Sequence, residues 1–167
     1  MRKDYGPKKR YSVQQSSNTK QSRLSLGVEM KINNYELKEN LYYWSKGGTW
    51  LEILPDSRVK VGISDAQLAE LLKGRKPTAI VVSPKGSSVK QGGRIAMLRI
   101  GKVSLTIESP ISGVVDEVNK ELTVDKLLKN PYENWLAIIK PSSLDAELSN
   151  LVKGDTDEAK EWFRNKV

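Results

Sequence analysis

The 167-residue sequence predicts a mainly β protein, a small barrel or sandwich to which a few short helices are added. Most apolar residues lie in short segments in which they alternate with polar residues, the period of a half-buried strand. Turn-forming Gly, Pro, Asp and Ser residues separate these segments at close intervals. Helical periodicity is confined to a few short stretches, so strands are expected to build the core.

The predicted strands begin at Tyr42 and continue to Pro141. One example follows the turn at Pro55, where Val59, Val61 and Ile63 alternate with polar or small residues. The strand segments outside the hairpin described below are LYYWS, TWLEILP, RVKVGI, TAIVVS, VVDEV and NWLAIIKP. Their shortness and close turns favour antiparallel pairing.

Four helices are predicted, each from capping residues that stand ahead of a short apolar stripe. The predicted helices begin at Ser64, Thr123, Ser142/Ser143 and Asp155, and the first three end at Gly74, Pro131 and Gly154. The third has Leu144, Leu148, Leu151 and Val152 on one stripe, so it is expected to stay helical through Val152. The fourth places Ala159, Trp162 and Phe163 on its apolar side.

A two-residue hairpin loop is predicted at Gly101 and Lys102, because apolar residues alternate on both sides of this pair. With this loop, the core-facing pairs are Ile100–Val103, Leu98–Leu105 and Ala96–Ile107, and the other face carries Arg99, Ser104, Met97 and Thr106. Glycine at the first loop position suits a type II′ turn, which needs positive φ there. Lys102 then lies at the tip, where an amine would be open to acylation or would simply be one more solvated lysine.

The composition excludes several classes of chemistry. The chain has no Cys and no His, so thiolate nucleophiles, imidazole bases, disulfides and the usual zinc ligands are ruled out. Any redox or acyl chemistry would have to come from a cofactor. No segment is apolar over the length that a membrane span needs, and the basic amino terminus lacks the apolar stretch of a secretory signal. We therefore expect a cytoplasmic protein that makes no use of a membrane.

The net charge of +8 is concentrated near the amino terminus. Residues 1–28 contain seven Lys or Arg and a single Asp, which accounts for +6. We divide the chain into a basic arm, residues 1–31, expected to be disordered alone, and a folded body, residues 32–167. The arm could contact nucleic acid or an acidic partner, be a solvated extension, or precede a true start at Met30.

An ordered set of motifs resembles the glycine cleavage system H-protein family. In that family the lipoyl lysine stands eight residues before the proline of a Ser-Pro-(Val/Ile)-Ser-Gly turn, and here Lys102 stands eight residues before Pro110. The other matching segments are TWLEI, VGISD, VKQGG, GVVDEVNKEL and NPYENWLAIIKP, which together extend over about residues 49–152. The resemblance implies a barrel-sandwich hybrid of the lipoyl and biotinyl carrier type, with C-terminal helices from about residue 142.

The resemblance implies a non-enzymatic carrier with lipoic acid attached covalently to Lys102 and Gly101 at the hairpin tip. Its implied partners are a lipoate ligase or transferase, glycine decarboxylase, aminomethyltransferase and a dihydrolipoyl dehydrogenase-like flavoprotein. A carrier in another lipoate-dependent pathway, such as sulfur oxidation, would have the same sequence features. Two departures bear on recognition: Arg99 replaces the family's usual Glu three residues before the lysine, and Val103 replaces the usual Ala after it.

Two other functions are compatible with parts of the sequence. An unmodified H-like binding module could use the basic arm, with Tyr5 and Tyr11, to contact nucleic acid or a large assembly. A stand-alone enzyme is the weakest alternative, because Asp116 and Glu117 are expected on opposite faces of a strand. The acidic residues Asp155, Asp157 and Glu158 are explained by a helix start.

Overall fold

The computed structural model describes residues 29–32 and 34–166, and within them it contains twelve strands and four helices. The strands are β1 (Glu29–Ile32), β2 (Tyr35–Lys38), β3 (Tyr42–Trp44), β4 (Thr49–Ile53), β5 (Val59–Ile63), β6 (Ala79–Val82), β7 (Ser88–Val89), β8 (Arg94–Ile100), β9 (Val103–Glu108), β10 (Gly113–Val118), β11 (Ala137–Pro141) and β12 (Val152–Lys153). The helices are α1 (Asp65–Leu72), α2 (Val124–Lys129), α3 (Leu144–Leu148) and α4 (Asp157–Lys166). The prediction of a mainly β fold with short helices is confirmed.

The strands form three antiparallel sheets. The largest has seven strands in the order β12-β3-β4-β5-β11-β10-β7, the second has three in the order β6-β8-β9, and the third pairs β1 with β2. Long-range pairing such as that of β5 with β11 brings distant segments together. The predicted hairpin belongs to the three-stranded sheet, where β8 is the central strand.

The main core is shared by the two larger sheets. Val61 and Ile139 from the seven-stranded sheet join Leu98 and Ile107 from the three-stranded sheet, with Leu127 of α2 beside them. All five side chains are at most 1% exposed. Because burial of such aliphatic groups is the dominant favourable term in folding, this cluster fixes the hairpin strands onto the body.

A second core holds the C-terminal helix. Trp50 stacks on Tyr132 with ring centroids 5.9 Å apart, and Phe163 of α4 packs edge-on against Tyr43. The Tyr43 and Tyr132 hydroxyls lie 2.9 Å apart, and Tyr132 donates to the Glu36 carbonyl at 2.7 Å. Burial raises the pKa of both tyrosines above the ordinary value, so both remain neutral hydrogen-bonding groups.

Two of the predicted helix starts are confirmed by their caps. The Ser64 hydroxyl accepts a hydrogen bond from the Gln67 amide at 3.1 Å, and α1 ends at Leu72, followed by the C-cap Lys73 in a left-handed conformation. The Thr123 hydroxyl accepts from the Lys126 amide at 3.1 Å, also at the start of a helix. These caps satisfy backbone donors that the first helical turn leaves without partners.

The predicted third helix is wrong beyond Leu148. Helix α3 has only five residues, and Ser143 makes no side-chain capping bond. Val152 lies instead in β12, where it pairs with Tyr43 at the edge of the seven-stranded sheet and is buried in the second core. Pairing with a distant strand decides this segment, and β-branched valine suits that position.

The expectation that Asp116 and Glu117 point to opposite faces is also wrong. A bulge interrupts the pairing of β10 with β11 between Val115 and Glu117. Both carboxylates therefore reach the same Arg58 nitrogen, at 2.9 Å from Asp116 and 2.6 Å from Glu117. The Arg58 guanidinium holds the pKa of the Asp116 carboxyl below its usual value, so this cluster is an ion-pair network on the surface.

The basic arm falls almost wholly outside the described residues. Residues 29–31, at the end of the predicted arm, belong to β1, and β1 pairs with β2 in a sheet that the alternation pattern did not predict. The division of the chain into an arm and a folded body at residue 31 stays a prediction. Within the described residues, none of the helices has the length and apolar character required to cross a membrane.

Candidate functional site

The predicted hairpin register is confirmed pair by pair. Ile100 lies opposite Val103, Leu98 opposite Leu105, and Ala96 opposite Ile107. Gly101 has φ of +59°, and Lys102 is not in a positive-φ conformation, as a type II′ turn requires. Gly101 and Lys102 are therefore the two loop residues, and Lys102 lies at the tip.

The tip of the hairpin is open to solvent. Lys102 is exposed, and the described residues provide no hydrogen bond or ion pair to its side chain. A Cβ added to Gly101 would find no heavy atom within 4 Å. The Lys102 amine is therefore accessible to another molecule from the solvent side.

The hairpin strands are anchored by one face only. Ala96, Leu98 and Ile107 are at most 1% exposed, whereas Val103, next to the tip, is 47% exposed. The exposed fraction of the core-facing side chains thus increases towards the loop. This gradient gives the loop a fixed direction without covering the lysine.

A turn at residues 109–112 follows the hairpin at its base. The Ser109 hydroxyl donates to the Ile111 carbonyl at 2.7 Å, and the Ser109 amide donates to the Gly93 carbonyl at 2.6 Å. Ser109 is fully buried. These bonds hold the end of β9 close to the segment that leads into β8, so both strands of the hairpin start from one fixed point.

Two polar side chains from other parts of the chain clamp this turn. The Glu147 carboxylate accepts from the Ser112 amide at 2.7 Å and from the Ser112 hydroxyl at 2.6 Å. The Gln91 side-chain amide donates to the Pro110 carbonyl at 3.0 Å, and the Gln91 oxygen accepts from Asn150 at 2.9 Å. We call Gln91, Ser112, Glu147 and Asn150 the base clamp. Helix α3, which carries Glu147, is thereby tied to the base of the hairpin.

A further contact fixes the last residue of β9. The Trp44 indole donates to the Glu108 carboxylate at 2.8 Å. Gly47 packs so closely here that a Cβ on it would lie 2.8 Å from the Trp44 ring. Glu108 therefore joins the hairpin base to the seven-stranded sheet through β3.

Sequence reasoning located the tip residues but missed the base clamp. From the sequence, Gln91 enters only within the segment VKQGG, and Glu147 only as a residue inside the predicted third helix. Their roles depend on contacts between residues far apart in sequence, as between Ser112 and Glu147, so no local signal identified them. Within the described residues, no group of three or more acidic side chains is arranged to hold a metal ion.

Comparisons with known proteins agree with this architecture. A family model described as glycine cleavage H-protein matches residues 41–163. A probable glycine cleavage system H protein of Thermococcus gammatolerans is 36% identical over 129 residues, which cover 75% of this chain and 92% of the relative. The probable H protein of Thermococcus kodakarensis is 35% identical over 139 residues, covering 81% of this chain and 98% of the relative.

A solved structure supports the fold independently. The crystal structure of a glycine cleavage system H protein from Mycobacterium marinum superposes with a TM-score of 0.53 at 25% identity. The match covers 62% of this chain and 85% of that one. The predicted family resemblance and fold class are both confirmed, and the family consists of lipoyl carriers that are not themselves catalytic enzymes. The chain belongs to the glycine cleavage H-protein family.

Proposed function

We propose that this protein is a lipoyl carrier and that lipoic acid is attached through an amide to the Nζ atom of Lys102. The observation that carries the proposal is the exposed tip of the hairpin, where Lys102 stands without a partner among the described residues. Family membership supports the same assignment. The dithiolane supplies the redox and transfer chemistry that a chain without Cys or His lacks.

The chain's own contribution is to present the amine. The buried side chains Leu98 and Ile107 hold the strands on the body, and the base clamp fixes the turn from which they extend. Positive φ at Gly101 places Lys102 on the outside of the loop. Acylation removes the lysine charge, and because the amine is solvent-exposed and unpaired, no ion pair has to break.

The proposed partners are enzymes that act on the lysine or on its attached group. A lipoate ligase or transferase would form the amide. A glycine decarboxylase, an aminomethyltransferase and a dihydrolipoyl dehydrogenase-like protein would then use the carrier in glycine cleavage. Support for this pathway comes from the family and from relatives bearing that name.

The test is lipoylation of the full chain by the lipoate ligase of the same organism, with ATP and lipoate. Peptide-mapping mass spectrometry should find one lipoyl group, on Lys102. Lys102→Arg, which keeps the charge but cannot form this amide, should receive none, while the matched control Lys120→Arg should be modified like the wild type.

Two outcomes would contradict the proposal. Modification of another lysine in the wild type would show that the hairpin is not the site. If the wild type stays unmodified while Arg99→Glu is modified, the chain has lost the carrier role, and a binding-module function becomes the better account.

A further inference from the structure

The three-stranded sheet has an outer face that no described element covers. Leu98 and Ile107 point inward and pack into the main core. The residues that alternate with the core-facing residues along β8 and β9 point outward. The outer positions nearest the tip form two rows across β6, β8 and β9: Ala79, Arg99 and Ser104, and then Val81, Met97 and Thr106. Arg94 also reaches this face, because its Nη1 atom lies 3.4 Å from the Met97 sulfur.

This face has an unusual charge distribution. Residues 71–107 contain eight Lys or Arg and no Asp or Glu. The next residue, Glu108, lies opposite Arg94 in register, and its carboxylate accepts a hydrogen bond from the Trp44 indole. Among the described residues, Arg94, Arg99 and Lys102 make no ion pair, whereas Arg58, Lys60, Lys140 and Lys153 all do. Arg94, Arg99 and Lys102 thus leave three positive charges on one hairpin that no ion pair among the described residues neutralises.

Apolar groups lie between these cations. Val81 is 43% exposed, and Met97, opposite it in register, is partly exposed. Arg and Met are enriched in protein–protein interfaces. The two rows contain no aromatic side chain on which a nucleic-acid base could stack. This composition favours a protein partner over a single-stranded nucleic acid.

We propose that Val81, Arg94, Met97 and Arg99, which we call the hairpin face, form a docking surface for an acidic patch on the enzyme that modifies Lys102. Carboxylates of the partner pair with Arg94 and Arg99, and a small apolar contact covers Val81 and Met97. Complementary charge raises the rate of encounter and fixes the register of the complex, which brings the Lys102 tip to the partner's reactive centre. The inference rests on the proposed carrier function.

The experiment measures lipoylation of the full chain by the same organism's lipoate ligase, as kcat/KM, at 50 and 300 mM NaCl. The test variant is Arg94→Glu/Arg99→Glu. The matched control is Lys120→Glu/Lys129→Glu, which changes the net charge equally at exposed lysines outside the hairpin face. For the wild type we expect kcat/KM to fall about 10-fold at the higher salt concentration.

The test variant should lose about 10-fold or more in kcat/KM at 50 mM NaCl and show little salt dependence. The control should stay within about 2-fold of the wild type, a change typical of distant surface charges. Equal rates for the test and control variants, with the wild type modified, would overturn the docking surface and leave the carrier function intact. Failure of the wild type to be lipoylated would overturn both.

A second measurement separates protein from nucleic acid. Binding of a fluorescein-labelled single-stranded RNA oligonucleotide should be unaffected by Arg94→Glu/Arg99→Glu relative to the control. If the test variant loses RNA binding but keeps the wild-type lipoylation rate, the face recognises phosphates, and the proposal is wrong.

Discussion

The tip and the base of the Lys102 hairpin differ in how closely they are packed and in how many hydrogen bonds hold them. At the tip, Gly101 has open space around it and Lys102 has no described partner. At the base, Ser112 is held through both its amide and its hydroxyl by Glu147. The Lys102 amine is thus positioned by groups that it never touches, since the base sets the direction of the hairpin and the tip stays accessible.

The largest effect that would test this contrast comes from the core beneath the hairpin. Ile107→Ala removes a side chain that is 1% exposed and should lower the free energy of unfolding by about 2–5 kcal/mol, from lost burial and the cavity left behind. Val103→Ala, at a side chain 47% exposed, should cost less than about 0.5 kcal/mol. Urea denaturation measures both changes. Similar losses in unfolding free energy for the two variants would contradict the difference in packing between the tip of the hairpin and the core beneath it.

An intermediate effect is expected at the base clamp. Glu147→Ala leaves the partly buried Ser112 amide without its acceptor and should cost about 1–3 kcal/mol in unfolding free energy. Glu147→Gln keeps one side-chain oxygen and should lose less. Lipoylation of Lys102 should slow in Glu147→Ala under conditions where the protein remains folded, because the hairpin then starts from a looser base. An unchanged rate would show that the clamp contributes stability alone.

Replacing the loop glycine should affect stability less than the changes at the core and the base clamp. Gly101→Val places a β-branched residue at φ of +59° and should cost about 1–2 kcal/mol through backbone strain. No core contact is lost, since open space surrounds this position. The informative readout is lipoylation, which should slow because Lys102 is displaced. A Gly101→Val variant that is as stable and as readily modified as the wild type would contradict the proposed turn geometry.

Local chemistry explains which parts of the fold the sequence predicts well. The hairpin register follows from alternation on both sides of Gly101 and Lys102, and the starts of α1 and α2 follow from the capping residues Ser64 and Thr123. Each of these features depends on residues a few positions apart. Propensity and turn chemistry are sufficient in such cases.

The features that sequence reasoning missed depend on distant partners. Val152 has the spacing of a helical stripe, yet pairing with Tyr43 places it in a strand. The bulge at Asp116 turns two consecutive carboxylates towards Arg58, which no alternation pattern predicts. The base clamp joins Ser112 to Glu147 across 35 positions. Tertiary context overrides local preference at all three points.

The most direct test of the central claim is a peptide-mapping mass measurement on the protein purified from its native cells. The account predicts a lipoyl group on the peptide that contains Lys102 and on no other lysine. Recovery of Lys102 unmodified throughout, or of the lipoyl group on a different lysine, would contradict the assignment of the hairpin tip as the carrier site.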